Sequence, residues 1–169
     1  MRRCKSIDYS PENSIPDSEL LVRLLCTPLY YNKETQQVNP DAFDLRLLGA
    51  DKSKGEEYVS LISKINCDDS TFESELLQLG YKIWDSKSNE SNRYCGYGSF
   101  LCGIARGISD KIEIMPLNGP NERHRGLFYV KNDDEYYKGP LPKDDPKIVN
   151  MLSLLAEMLE DGLTIVEPE

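Results

Sequence analysis

A chain of 169 residues, 39% hydrophobic and 29% charged, has room for one hydrophobic core and not for two full domains. Its ten Tyr, four Phe and one Trp argue against a disordered polymer. The net charge of −9 opposes broad binding to nucleic-acid phosphates, and the five cysteines are an odd set that fits a reducing compartment better than a disulfide framework.

The acidity is uneven, because residues 144–169 hold seven acids and one Lys and so carry −6 of the total. The basic start Arg2-Arg3-Cys4-Lys5 is followed by polar residues rather than an apolar stretch, so no secretion signal is expected. Residues 1–14 have no period and are predicted to form a surface arm. The run from Asp17 to Leu25 puts apolar residues at helical spacing behind a plausible cap, and a helix is expected there, although the run is short enough for a strand. It is too short to cross a bilayer, which takes roughly 20 apolar residues.

Asn39-Pro40-Asp41-Ala42-Phe43 has the form of a single helical turn with Phe43 anchored inward. Tyr58 to Ile62 reads as a strand. Ser70-Thr71-Phe72-Glu73 forms a capping-box pattern ahead of a helix whose inner face carries Phe72, Leu76, Leu77 and Leu79, with Gly80 positioned to close it. Tyr81 to Trp84 is expected to be extended and Asp85 to Asn92 a polar loop.

From Tyr94 to Ile114 four glycines lie among apolar residues, which favours sheet over helix, and Pro116 should end it. Gly126 to Val130 is apolar enough for a central strand. The last helix is the firmest element: Asp145 caps, Pro146 starts, Ile148, Met151, Leu152, Leu155 and Leu159 form the stripe, and Gly162 follows. Leu154 and Met158 widen that stripe, so one flank is a candidate partner surface, although a broad core face is the commoner reason for such width. The predicted class is α+β: a small mixed or antiparallel sheet with two or three packed helices in a single domain over 15–162, with 163–169 as an acidic tail or edge strand.

His124 is the sole histidine, which excludes any multi-histidine metal site within one chain. Cys95 and Cys102 lie seven apart, not at the spacing of structural zinc knuckles, so no metal and no cofactor are expected. A thiol mechanism needs an imidazole beside the sulfur and a third group to orient it. Cys95 or Cys102 with His124, oriented by Glu122, Asp133 or Asp134, would supply one if the Gly-rich stretch lies beside the strand from Gly126. The simpler reading of Cys102 as a small buried hydrophobe and His124 as a solvated loop residue is stronger.

Arg123, His124 and Arg125 could together clamp a phosphate or carboxylate at the start of a strand, with Arg23 or Arg46 lining the same cleft; a charged loop is the plainer alternative. Gly96-Tyr97-Gly98 lacks the third glycine of a dinucleotide fingerprint.

Leu20-Leu21-Val22-Arg23, Pro40-Asp41-Ala42-Phe43, Val59-Ser60-Leu61 and His124-Arg125-Gly126 resemble features of a group of short, functionally uncharacterised bacterial proteins. The resemblance spans about residues 15–131 and implies a bacterial cytosolic origin, with no implied chemistry. The Ser/Asn-rich loop near 86–92 and the acidic end depart from it. The functional expectation is a non-catalytic protein-interaction or accessory protein of a bacterial cytosolic system, with a defence or conflict locus as its setting. Its partner would be another protein met through the acidic C-terminal helix, not a membrane or nucleic acid. The alternative is a small ligand-binding or thiol-dependent enzyme centred on His124 with Cys95 or Cys102.

Overall fold

The structure, a computed structural model, describes residues 15–46, 55–65, 67–85, 92–117 and 123–166. The expected arm over 1–14, nearly all of the polar loop before Asn92, and Glu122 lie outside the described residues.

The elements are β1 (Leu20–Thr27), β2 (Tyr31–Asn32), β3 (Gln37–Val38), a 3-10 turn (Pro40–Phe43), β4 (Val59–Ser63), α1 (Asp69–Gly80), a π-helical turn (Tyr81–Asp85), β5 (Arg93–Leu101), α2 (Cys102–Arg106), β6 (Ile112–Pro116), β7 (His124–Asn132), β8 (Glu135–Tyr136), α3 (Pro146–Asp161) and β9 (Leu163–Ile165). Every pairing is antiparallel, and the main sheet runs β6-β7-β4-β1-β5-β9 with β8 added to β7. The fold is therefore α+β, an antiparallel sheet with three α-helices among the described residues, as the composition and periodicity predict.

The expected helix over 17–25 is instead β1, paired with β4 on one side and β5 on the other. The reason is its central place. Leu21, Val22, Leu24, Leu25 and Cys26 are all buried, because both faces of the strand are covered. A strand covered on both faces reads as a continuous apolar run that mimics helical spacing over so short a stretch.

Cross-strand partners share a face, and the register divides the sheet accordingly. Leu21, Phe100 and Gly98 face one side with Leu127 and Tyr129. There Phe43 meets Phe100 edge-on at 6.3 Å, and the Tyr129 hydroxyl donates to the Phe43 carbonyl at 2.5 Å. Leu159 of α3 lies directly over Gly98, where a Cβ would come within 2.2 Å of its side chain. The 3-10 turn thus anchors Phe43 inward as its sequence predicts. Val22 and Ile62 face the other side, against α1, which packs over β1 and β5.

α1 starts two residues earlier than the capping box suggests. Asp68 is the cap: its carboxylate accepts from the Thr71 amide at 2.8 Å, the Thr71 hydroxyl at 3.0 Å and the Ser70 hydroxyl at 3.1 Å, and these bonds lower its pKa. Phe72 and Leu76 point inward, whereas Leu77 is exposed. Gly80 is the last residue of α1, as expected, but without the left-handed conformation of a closing glycine. It is buried in the final turn, and a Cβ there would lie 2.4 Å from the Tyr94 ring. The chain continues into the π-helical turn, so the expected extended piece over 81–84 is absent and Trp84 stacks on Tyr94 instead, at 6.2 Å and 6°.

The central glycine-rich stretch is sheet in β5 and β6, but the one-turn helix α2 interrupts it. β7 lies between β6 and β4, as expected of a central strand. In α3 the cap Asp145 accepts from the Lys147 amide at 3.0 Å, and Ile148, Met151, Leu152, Leu155 and Leu159 are buried. Met158 turns inward and Leu154 outward. β9 pairs with β5 at the sheet edge. On the α1 side, beyond the main core, Met115, Leu117 and Phe128 form a satellite cluster beneath the half-buried Tyr58 and Tyr136.

Candidate functional site

The basic triplet at the start of β7 does not converge. His124 pairs in register with Ile62 and Arg125 with Leu61, so the alternation of the strand sends the two side chains to opposite faces. Arg125 goes into the interior, where its Nε donates to the Glu19 carboxylate at 3.1 Å. Arg123 reaches α1 and is ion-paired with Glu75. A joint phosphate or carboxylate clamp by Arg123, His124 and Arg125 is therefore not assembled. Each guanidinium already holds a carboxylate.

Arg23 and Arg46 serve a different centre. Arg23 donates from Nε to the Ala42 carbonyl at 2.9 Å and from Nη1 to the Ser60 carbonyl at 3.2 Å, and its guanidinium stands 5.2 Å from the Tyr30 ring centroid. Arg46 donates to the Tyr30 hydroxyl at 3.2 Å. Burial works to lower the Arg46 pKa, but Tyr30, through charge and hydrogen bond, and Glu56 outweigh it and raise it. Both arginines thus grip Tyr30, and Arg23 also the 3-10 turn, rather than joining His124 in a cleft.

The thiols are also kept from the imidazole. β4 and β1 stand between β7 and β5, which sets Cys95 three strand spacings or about 14 Å from the strand of His124; Cys102 lies in α2, bonded through its amide to Glu19, the partner of Arg125 on the face away from His124, so neither thiol has the side-by-side placement that a thiol mechanism requires. Burial pushes the Cys95 thiol up to about 12, with Cys26 adding to the rise. Burial likewise raises Cys102 to about 11; Arg106 and Arg125 oppose the rise, and Glu19 and Asp17 reinforce it. A thiol held protonated is a poor nucleophile. Asp133 and Asp134 lie in the exposed turn beyond β7, at the far end of the strand from His124. Among the described residues, no three His, Cys, Asp or Glu side chains come together where they could hold a metal ion.

What the fold does place beside His124 is a hydroxyl. Ser60 Oγ and His124 Nε2 are 3.2 Å apart on the α1 side of the sheet. The Tyr58 ring meets the imidazole edge-on at 6.0 Å and packs on buried Phe128 at 5.4 Å, which fixes the imidazole from behind. Ser60 was legible only as a strand residue. Its closeness to His124 depends on the β4–β7 register, which no local spacing encodes.

The chain matches no family model, curated protein or solved structure. Beside the Arg123–Glu75 pair, a shallow polar groove of about 440 Å³ runs along α1 and is lined by Ser70, Thr71, Ser74, Glu75 and Gln78. On the opposite face of the sheet, α3 presents an exposed stripe of Lys147, Asn150, Leu154, Glu157 and Asp161. Leu154, 38% exposed, is the one apolar residue of that stripe, and Val149 stands exposed at its flank. The contacting helix α2 adds Ile104, which is 56% exposed.

Glu19, Asp44 and Arg125 are buried, and of these only Arg125 was marked by the sequence. Glu19 and Asp44 carry no local signal, since an acid beside leucines reads the same whether solvated or paired.

Proposed function

We propose that the chain is an interaction or accessory component of a bacterial cytosolic system, set in a defence or conflict locus, and that it binds another protein through the outer side of α3. The observation that carries this reading is the placement of Leu154 within a solvent stripe that ends in Glu157 and Asp161. An apolar anchor beside carboxylates suits a partner with an apolar notch rimmed by Lys or Arg: burial of the anchor supplies the affinity, and the charges supply orientation and speed of encounter. A second copy of this acidic chain fits less well, because like charges would face each other. No helix among the described residues is long and apolar enough to cross a membrane.

The test compares proteins captured from the source cell by the wild-type chain and by the triple variant L154S/E157K/D161K. All three positions are exposed, so each change should alter stability by about 0.5 kcal/mol or less. The reading expects one partner held by the wild type, released by salt and lost in the triple variant. An unchanged set of captured proteins would sink it.

A further inference from the structure

We propose that Ser60 is a reactive hydroxyl with His124 as its base, which gives the α1 side of the sheet a slow acyl-transfer activity toward small activated esters. This goes beyond the docking reading and is independent of it, since α3 lies on the other face.

The pairing has the two elements that serine acylation needs: an accessible hydroxyl, and an imidazole nitrogen within hydrogen-bond reach of it. Ser60 is exposed and His124 half-buried, with Oγ and Nε2 3.2 Å apart. Neither sits on a loose segment. Ser60 is paired to Gly126 and His124 to Ile62 across β4 and β7, Ser60's own carbonyl accepts from Arg23, and Tyr58 holds the ring from behind. Four other described serines differ in use. Ser63 accepts from the Ile65 amide, Ser70 donates to the cap Asp68, Ser99 donates to the Gly162 carbonyl and Ser109 accepts from the Lys111 amide. Those hydroxyls hold the main chain or a helix cap, whereas the Ser60 hydroxyl faces a base.

In the reaction, Oγ attacks the ester carbonyl carbon while its proton passes to Nε2 of a neutral imidazole whose other nitrogen carries hydrogen. The carbonyl π pair moves onto oxygen and returns as the bond to the leaving oxygen breaks, and that oxygen takes the proton from Nε2. Water then attacks the acyl-Ser60 carbonyl, gives a proton to Nε2, and Oγ leaves with that proton. Acid and alcohol are the products, and no electrons are lost or gained. Positioned general-base help of this kind contributes roughly 10²–10⁴-fold in enclosed sites. An open sheet face belongs at or below the lower end.

The experiment treats the full chain with p-nitrophenyl acetate and follows both nitrophenolate release and the site of acetylation by peptide mass. The proposal expects acetyl-Ser60 in the wild type and none in Ser60→Ala. In His124→Gln, which retains a hydrogen-bonding group without a base, the Ser60 rate should fall on the order of tenfold or more. Its Ser60 rate should also follow a different pH profile from that of the wild type. A merely structural Ser–His bond would leave the Ser60 rate and its pH profile unmoved. Absence of acetyl-Ser60 in the wild type, or equal Ser60 rates and pH profiles in wild type and His124→Gln when both are folded by circular dichroism, overturns it. The α3 triple variant should acetylate Ser60 at the wild-type rate, so this proposal and the docking reading can fail separately.

Discussion

Arg125 and Glu19 form an ion pair inside the protein, with Nε and Oε2 3.1 Å apart and the two side chains 8% and 5% exposed. They are 106 positions apart in sequence. The pair joins β7 to the segment that leads into β1, and that segment is also held by α2, whose Cys102 and Gly103 amides donate to the Glu19 and Asp17 carbonyls at 2.9 Å. Arg106 donates to the Asp17 carboxylate at 2.9 Å. Removing one buried partner strands the other charge. Glu19→Gln should therefore lower the free energy of unfolding by about 3–5 kcal/mol, whereas Glu19→Leu with Arg125→Met should recover most of that loss. Urea denaturation of the single and double variants decides it; a loss below about 1 kcal/mol in Glu19→Gln would mean that the pair is solvated.

Gly80 supplies a second test, because its two possible roles predict different outcomes. A glycine that closes a helix in a left-handed conformation resists replacement through backbone strain, whatever surrounds it. Here it is the final residue of α1, and a Cβ would press into the Tyr94 ring at 2.4 Å. Gly80→Ala should then destabilise by about 1–3 kcal/mol through overpacking. Adding Tyr94→Leu should remove most of the penalty attributable to the alanine, measured as a double-mutant cycle in urea. Additive losses would argue for strain instead.

These residues mark the limit of what the sequence conveys. α3 was legible because Asp145, Pro146 and the apolar stripe act locally, and Phe43 because Asn39 and Pro40 set its turn. β1 was misread because a strand covered on both faces loses the alternation that identifies strands. Gly80 misled because punctuation and close packing call for the same residue. The Ser60–His124 approach and the Glu19–Arg125 pair were invisible because each depends on register between strands distant in sequence, and a shift of one residue would send every side chain to the other face.

Thiol chemistry yields a prediction at alkaline pH. Burial raises Cys95 to about 12 and Cys102 to about 11 from an ordinary 9.0, so the folded state favours the neutral thiol. The stability tied to keeping them neutral is complete below pH 9.0 and falls as pH rises toward 11 and 12, because the unfolded chain ionises there first. Tyr129, pushed well above its usual 10.0 by burial and by Asp44, acts in the same direction. Denaturation midpoints should drop across that range, and Cys102→Ala should flatten the first part of the decline. At pH 8 iodoacetamide should label partly exposed Cys67 while Cys95 and Cys102 react only on unfolding. Rapid labelling of either in the folded chain would contradict their burial.

Asp44 fastens the 3-10 turn to the segment ahead of α3, and the division of its two oxygens predicts unequal effects of two substitutions. Oδ1 accepts from both the Leu45 amide at 2.8 Å and the Leu141 amide at 2.9 Å, while Oδ2 meets the Lys143 ammonium. Asp44→Asn can retain the carbonyl oxygen between the two amides and gives up only the ion pair. That pair is half-open to water on the lysine side, so the change should cost about 1 kcal/mol or less. Asp44→Ala leaves two amides unsatisfied at a site only 9% exposed, which should cost about 2–6 kcal/mol at roughly 1–3 kcal/mol for each buried donor. Hydrogen exchange at Leu141 gives the local reading: its amide should remain protected in Asp44→Asn and exchange much faster in Asp44→Ala. Equal exchange in the two variants would mean that the carboxylate's charge, and not its oxygen geometry, secures this junction.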